Sequence, residues 1–299
     1  MKSVLVLLST YNGEKYLKEQ IDSVLGQEKV KTFLLVRDDG STDKTCSILE
    51  WYQKRGALKW YNGKNLGPAR SFVDLIFHSK TDFDYYAFCD QDDFWKPDKL
   101  YLAIQKMESD LDDILKICYC NLELVDADKR HLETKKLYKR CEYFEEMILT
   151  YCVPGCAMVF NNKLLCILQK HKPNNLTMHD CWIYYTCVAV GGRIYGDDNV
   201  GIQYRQHGNN VIGASKVGLK KKIGMILGNG TTPRQNMIEE ILYDFNDELV
   251  ESDDLRLLRS FSKYSHSLKE KFKIMFIKRK ISPRRSFVKA KLRVLFNSL

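Results

Sequence analysis

Thr32-Phe33-Leu34-Leu35-Val36-Arg37-Asp38-Asp39-Gly40-Ser41-Thr42-Asp43 is the stretch on which the fold turns. It opens with a β-branched and apolar run, Thr32 to Arg37, which predicts a strand. Carboxylates and a glycine follow as a turn, and Asp43 to Lys54 then reads as a helix with Thr42 as its N-cap. The same unit recurs on both sides, with strands predicted at Ser3 to Leu8, Leu58 to Tyr61 and Asp84 to Cys89. Between them, Glu14 to Leu25 sets Leu17, Ile21, Val24 and Leu25 on one helical face. Pro68 and Pro97 each stand where a first helical residue belongs, ahead of helices at Ala69 to His78 and Asp98 to Ser109. In the latter, Leu100, Ile104, Met107 and Leu111 are spaced to pack on a sheet. Strand, acidic loop and helix in repetition predict an α/β fold, a Rossmann-like mostly parallel sheet flanked by helices.

The pattern then loosens. Ile117 to Val125 reads as extended and Asp126 to Glu142 as a surface loop. Cys156 to Phe160 and Val200 to Tyr204 read as strands, and Asp180 to Val190 as a helix. After about Ser215 the chain reads as helical, through Asn236 to Val250, Asp254 to Tyr264 and basic segments beyond. We therefore expect an α/β domain over residues 1–215 and a helical C-terminal extension over 216–299.

A chain of 299 residues that is 44% hydrophobic can bury a large core, which excludes disorder throughout. Met1 to Leu8 is too short an apolar run for a signal peptide, and nowhere do the roughly 18 uninterrupted apolar residues of a spanning helix occur. The expected location is cytoplasmic, where the 10 cysteines serve as small buried hydrophobes without disulfides. Cys118-x-Cys120 and Cys152-x3-Cys156 lack the partners of a structural zinc site. Charge is concentrated at one end: residues 261–299 carry 12 Lys or Arg against Glu270, or +11, so the formal +9 leaves −2 for the rest. Apolar residues alternate with those charges, among them Phe272, Phe276, Phe287, Val288 and Leu292, as in interfacial amphipathic helices. That mixture favours an anionic membrane surface over a solvated helical cap, and over nucleic acid, which is not an expected partner.

Carboxylates cluster where the second and fourth predicted strands end, at Asp38-Asp39 and at Asp90-Gln91-Asp92-Asp93. Ligands of open α/β sheets bind beyond the carboxyl ends of the strands, and adjacent anions there need a cation or hydrogen-bond donors. Mg2+ or Mn2+, bridging carboxylate to diphosphate, answers that need; a solvated turn capping the next helix is the plainer alternative.

Ser9-Thr10-Tyr11-Asn12-Gly13, Arg37 to Asp43, Asn65-Leu66-Gly67-Pro68-Ala69-Arg70 and Asp90-Gln91-Asp92-Asp93-x3-Pro97, in this order, resemble family-2 glycosyltransferases of the GT-A fold. Gly155 to Asn161, His179-Asp180 and Tyr204-Arg205-Gln206-His207-Gly208-Asn209-Asn210 extend the likeness to the bacterial rhamnosyltransferase-like branch, over roughly residues 3–213. The resemblance implies that Ser9, Thr10 and Tyr11 border the base and ribose, that Asp39 with help from Asp38 holds the nucleoside, and that Arg70, or Ser71 in its place, lies near the nucleotide. It implies that Asp90 faces ribose or sugar, that Asp92 binds the metal, and that Asp180 is the general base of one inverting displacement. By position alone Asp180 could equally be a first-turn aspartate favoured by the helix dipole. His207 could join the metal or meet the diphosphate. Trp95, Gly155, Cys156, His179 and Trp182 stand as acceptor or sugar-platform candidates, although packing is the plainer role of either tryptophan.

Two other classes compete. An aspartate-dependent phosphohydrolase needs Asp-x-Asp after its first strand, where this chain has Ser9-Thr10-Tyr11. A non-catalytic membrane-surface module would make the acidic loops mere solvated turns. The expectation is a metal-dependent inverting transferase moving a sugar, from dTDP-rhamnose or a UDP-hexose, to a glycan or lipid-linked acceptor in bacterial surface polysaccharide synthesis. It would act peripherally at the inner face of the cell membrane.

Overall fold

A computed structural model describes residues 1–137, 143–150, 154–207, 231–280 and 284–295. β1 (Ser3–Thr10) is its axis, because Val4 to Leu8 are apolar on both faces and wholly buried. It pairs in parallel with β2 (Lys31–Asp38) on one side and β4 (Tyr85–Cys89) on the other, and β3 (Lys59–Asn62) extends the β2 edge. The strand order β3-β2-β1-β4 therefore reverses direction at β1, the position at which an open α/β sheet leaves a crevice.

Beyond β4 the sheet becomes mixed. β8 (Met158–Asn161) pairs antiparallel with both β4 and β6 (Lys116–Val125), β9 (Arg193–Arg205) runs parallel to β6, and β5 (Phe94–Trp95) pairs antiparallel with β9. β7 (His131–Lys135) forms a hairpin with β6 inside the stretch expected to be a loop. Every β7 side chain is exposed, so no buried face betrayed it in the sequence. β9 begins well before Val200, because Asp197-Asp198-Asn199 masks it. Those polar residues fall where the β6 register shifts, and the Asn121 amide donates to the Asp198 carbonyl at 2.7 Å.

α1 (Leu17–Leu25), α2 (Thr45–Gln53), α3 (Pro68–His78) and α4 (Lys99–Glu108) supply the crossovers. Pro68 opens α3 as predicted, whereas Pro97 lies ahead of α4 and Asp98 takes the cap position. Leu100, Ile104 and Met107 are buried, but α4 ends before Leu111, which is 95% exposed. Thr42 does not cap α2; the Asp43 carboxylate instead accepts from the Thr45 N–H at 2.9 Å.

α5 (Phe144–Thr150), α6 (Asn162–Leu168) and α7 (His179–Ala189) complete the layer around the mixed half, and α7 is buried along its whole length. α8 (Pro233–Asp244) and α9 (Asp253–Lys263) pack against it, α8 starting from a Thr232–Gln235 capping box. The helix expected over Asn236 to Val250 ends at Asp244, with a short turn at Asn246–Glu248. α10 (Leu268–Met275) and α11 (Arg284–Leu295) follow, and α11 lies on α5. The boundary expected near Ser215 lies outside the described residues. No helix among the described residues is long and apolar enough to cross a membrane.

Candidate active site

The loops after β1 and β2 are laced to each other before anything else can bind there. Asn12 accepts the Thr42 N–H at 2.8 Å on its side-chain oxygen, while its own N–H donates to the Ser41 hydroxyl at 2.8 Å. Asp38 is buried and takes Thr10 and Ser41 hydroxyls at 2.9 and 2.6 Å, with the Ser41 and Gly40 N–H groups at 2.8 and 3.1 Å. Its carboxylate has become the knot of this loop and does not face the crevice. That corrects its assignment to the nucleotide: these four donors, with the Cys46 thiol at 3.6 Å, already saturate it.

Asp39 stays at the crevice wall, accepting from the N–H groups of Leu66 and Gly67 and pairing with Arg37. Arg37 also bonds Asp74 at 3.0 Å, the Ser71 hydroxyl at 3.1 Å and the Lys64 carbonyl at 2.9 Å. Burial opposes its charge, but the Asp39 and Asp74 carboxylates outweigh that and raise its pKa. This buried guanidinium therefore ties β2, α3 and the Asn65–Gly67 loop into one wall.

Gln91, between the two crevice aspartates, clasps Tyr11 twice, accepting its N–H at 2.9 Å and donating to its carbonyl at 3.0 Å. A Cβ on Gly13 would fall 2.2 Å from the Gln91 oxygen, so any other residue there would displace the amide that makes this clasp. Arg205 supports the same turn from β9: its Nε donates to the Asp92 carbonyl at 2.9 Å and its N–H to Asp93 at 3.0 Å. His207 Nε2 lies 2.8 Å from the Asp92 carboxylate, its ring stacked on Tyr16. Burial, and then the charges of Asp92 and Asp180, push the Asp90 carboxyl up to about 7. Asp93, behind the turn, is driven well above the ordinary carboxylate range by burial and then by the charges of Asp92 and Asp90.

At the opposite end, α7 opens into the crevice with His179 and Asp180. Asp180 accepts the Cys181 N–H at 2.7 Å and that of Gly155, yet burial still pushes its carboxyl up to about 6. His179 is packed face to face with Phe72, ring centroids 4.2 Å apart, and edge-on to Phe88. Burial drives its imidazole down to about 3, which leaves it neutral.

One cavity of about 780 Å3 thus gathers Ser9, Thr10, Tyr11, Asp39, Asp90, Asp92, Gly155, His179, Asp180 and His207. Five expected site residues lie elsewhere. Arg70 is exposed and donates to the Asn174 carbonyl at 2.9 Å, while its neighbour Ser71 is buried and bonds Ser9 at 2.6 Å. Trp95 and Trp182 are buried in packing, Trp95 beneath the Lys99 ammonium at 3.2 Å from its ring centroid, so neither offers a face to a sugar. Cys156 is buried behind the wall, its sulfur grouped with Asp90 and Asp93. Sequence reasoning passed over Tyr16, Phe72 and Tyr204, which line the cavity, and Arg205, which holds it; only Arg205 and Tyr204 stood in a quoted motif. Gly208, Asn209 and Asn210 of that motif lie outside the described residues.

The donor set fits a hard divalent cation. Asp90 and Asp92 face the cavity, with Asp92 and Asp180 both near enough to raise the Asp90 carboxyl, and such repulsion is relieved by a cation. Asp90, Asp93 and Cys156 bring ligand atoms within 4.8 Å of one another, but Asp93 and Cys156 do not line the cavity. Asp92 and His207 do line it and already touch each other.

The sequence profile of glycosyl transferase family 2 matches residues 5–168. The dTDP-rhamnosyl transferase RfbG of Shigella flexneri is 28% identical over 240 residues, covering 73% of this chain and 78% of that protein. Among solved structures, S. aureus TarS 1–349 in complex with UDP-GlcNAc matches with a TM-score of 0.61 at 18% identity, over 100% of this chain and 82% of that one. The mannosyltransferase PcManGT from Pyrobaculum calidifontis, in complex with GDP-Man and Mn2+, matches with a TM-score of 0.58 at 16% identity, over 98% and 85%. At these identities the structural likeness speaks for the fold.

Proposed function

The chain belongs to glycosyl transferase family 2, with a GT-A fold and a nucleotide-sugar donor, and from that premise we propose an inverting, metal-dependent transfer to a hydroxyl of a glycan or lipid-linked acceptor in surface polysaccharide synthesis. The observation that carries this reading is the convergence of Asp39, Asp90, Asp92 and Asp180, from separate strands and a helix, on one cavity. The β1 loop, Ser9 to Tyr11, and Asp39 form the nucleoside end. Asp90 and Asp92 occupy the middle, where a diphosphate belongs, with Asp92 and His207 as the groups that would hold Mg2+ or Mn2+. When bound, such a cation neutralises the charge that develops on a departing diphosphate.

Asp180 is the base in this reading. Its carboxyl, raised to about 6, is ionised at neutral pH yet more basic than an ordinary aspartate, which suits removal of a proton from an acceptor hydroxyl. Its position at the start of α7 satisfies the alternative role as well, since one oxygen accepts the Cys181 N–H. The donor is proposed to be a dTDP- or UDP-linked sugar; the RfbG likeness favours rhamnose.

The C-terminal helices favour a membrane partner. Leu268, Phe272 and Phe276 recur every fourth residue along α10 and its end and are 73, 59 and 77% exposed, opposite the buried Ile274. On α11, Val288, Leu292 and Leu295 are exposed while Phe287, Ala290 and Val294 are buried. Each helix thus has two apolar faces, one spent on the body and one in solvent among lysines and arginines. With +11 on this segment, a second copy of the same face would be repelled and an anionic lipid surface attracted. We place the enzyme peripherally at the inner face of the cell membrane, on residues 216–299, with residues 1–215 as the catalytic unit.

Thermal melting against dTDP, UDP and GDP with Mn2+ tests the site. A ligand at 100 times its Kd stabilises by about 2.7 kcal/mol. No shift with any of the three, at millimolar concentration, would sink the nucleotide-sugar reading.

A further inference from the structure

We propose that Glu240, on α8 of the C-terminal extension, is a positioning residue for the transfer: it sets the loop from His171 to Met178, and through that loop the reach of Asp180 toward the acceptor hydroxyl. The inference rests on the reading of Asp180 as the base and names what holds that base in place.

His171 to Met178 form neither strand nor helix, and the loop runs directly into α7, where Met178, His179 and Asp180 line the crevice. Side chains from neighbouring helices therefore have to fix it. From α8, one carboxylate does most of this. Glu240 Oε1 accepts the Asn174 main-chain N–H at 2.5 Å and its side-chain amide at 3.2 Å, and Oε2 accepts both corresponding groups of Asn175 at 2.6 Å. Burial opposes the charge of Glu240, yet these donors outweigh it and hold the carboxyl below the ordinary range. Met237, one turn earlier on the same face of α8, accepts the Thr177 hydroxyl at 3.4 Å, and Arg234 bonds the Tyr185 hydroxyl on α7.

The opposite side of the loop is held by α3. Arg70 donates to the Asn174 carbonyl at 2.9 Å, and Lys172 lies 3.9 Å from Asp74, which also bonds Arg37, the partner of Asp39. Asn174 is thus gripped through its carbonyl by one helix and through its N–H by the other, which fixes the direction of the chain as well as its place. A short way on, the Asp180 carboxylate accepts the Cys181 N–H at 2.7 Å. A base must sit within hydrogen-bond reach of the hydroxyl it deprotonates, and a misplacement of about 1 Å costs up to about 100-fold in rate. Glu240 guards against this from outside the crevice wall. Docking of this region needs no such grip, since Lys170 and Glu248, 2.6 Å apart, tie the turn after α8 to the body.

The test is nuclear magnetic resonance of the full chain labelled with 15N-cysteine, in which the Cys181 amide, one of 10, reports the Asp180 carboxylate. In the wild type that signal is expected to titrate with a midpoint of about 6. Glu240→Ala is expected to shift the signal and to move the midpoint toward the ordinary carboxylate value, as water reaches a loosened loop, while dTDP affinity with Mg2+ stays within about twofold. Glu240→Gln, which keeps one accepting oxygen, is expected to fall between the two. Glu248→Ala, which breaks the tie to Lys170 and leaves the loop alone, is expected to match the wild type. With dTDP-rhamnose as donor and water standing in for the acceptor, Glu240→Ala is expected to lower kcat by about tenfold or more with the donor KM within about twofold. A Cys181 signal and midpoint unaltered in Glu240→Ala overturn the positioning role. An equal change in Glu248→Ala overturns it too, because it marks general loosening of the C-terminal helices. A wild-type signal that does not titrate between about pH 4.5 and 8 would instead remove the reading of Asp180 as a raised base, on which the proposal rests.

Discussion

Around the crevice this chain buries acid: Asp93 after β4 and Asp180 at the start of α7 are withdrawn from water, and burial raises both carboxyls above the ordinary range. In α10 and α11 it does the reverse, keeping Lys269, Lys273 and Lys289 in solvent and leaving Leu268, Phe272 and Phe276 there beside them. Neither arrangement favours folding of the isolated chain, since buried carboxylates resist ionisation and exposed rings forgo burial. Each therefore points outward, the first to a cationic or hydroxyl-bearing ligand and the second to a partner with an apolar interior and a negative surface. The two regions also differ in what holds them. The crevice is fixed by polar side chains spanning several loops, whereas the C-terminal helices are capped by Ser252 and Ser267 and sit on the body through single apolar faces.

The comparison breaks most sharply if the crevice charge is dispensable. Asp180→Asn is expected to lower kcat by about 100- to 10,000-fold while leaving donor affinity within about twofold, as loss of a general base requires. Single-turnover kinetics with a radiolabelled donor would read this directly, and a normal rate would move the base elsewhere. Arg37→Met comes next, because it strands Asp39 without its cation inside the fold and leaves Asp74 only the exposed Lys172 and His78. Breaking a buried pair of this kind costs about 3–5 kcal/mol, and urea unfolding should show it. A loss below about 1 kcal/mol would mean that water already screens the pair.

A gentler measurement is the pH profile. The folded Asp180 carboxyl lies at about 6, above its ordinary value, so it is protonated and useless as a base below that pH and competent above it. The kcat/KM is expected to fall about tenfold for each pH unit below 6 and to level off near 7. A profile flat down to pH 4.5 would place the controlling group in solvent.

Much of this was readable in sequence, and the reason is local. Asp38, Asp39, Asp90 and Asp92 stand at strand ends, so the apolar runs that predict β2 and β4 also position the acids. What could not be read was which carboxylate of an adjacent pair faces in. Asp38 and Asp39 differ only in side-chain direction, and hydrogen bonds from Thr10 and Ser41, remote from any pattern, decide that Asp38 is structural. Trp95 and Trp182 misled for a similar cause, since a tryptophan beside a motif can lie under the wall as easily as on it. β7 and the early part of β9 escaped because exposed or bulged strands lack the alternation that marks a strand. In the C-terminal helices the amphipathic character was plain, but not the division of the apolar residues into a docked and a free set.

That division is the smallest effect and the finest test of the comparison. Removing residues 261–299 outright would also delete Phe261, Tyr264 and Ile274, which are fully buried, so lost binding could then reflect lost folding. Phe272→Ser avoids this, because the residue is 59% exposed and its ring stacks on that of the likewise exposed Phe276. Melting should stay within about 0.5 kcal/mol of wild type, as for other surface changes. Sedimentation with vesicles of phosphatidylglycerol and phosphatidylcholine should show binding weakened about fivefold, the loss of one partly inserted ring. The lysines that remain should keep the residual binding dependent on salt and on the anionic lipid. Binding equal to wild type would mean that charge alone holds the surface and that the exposed stripe on α10 serves another partner.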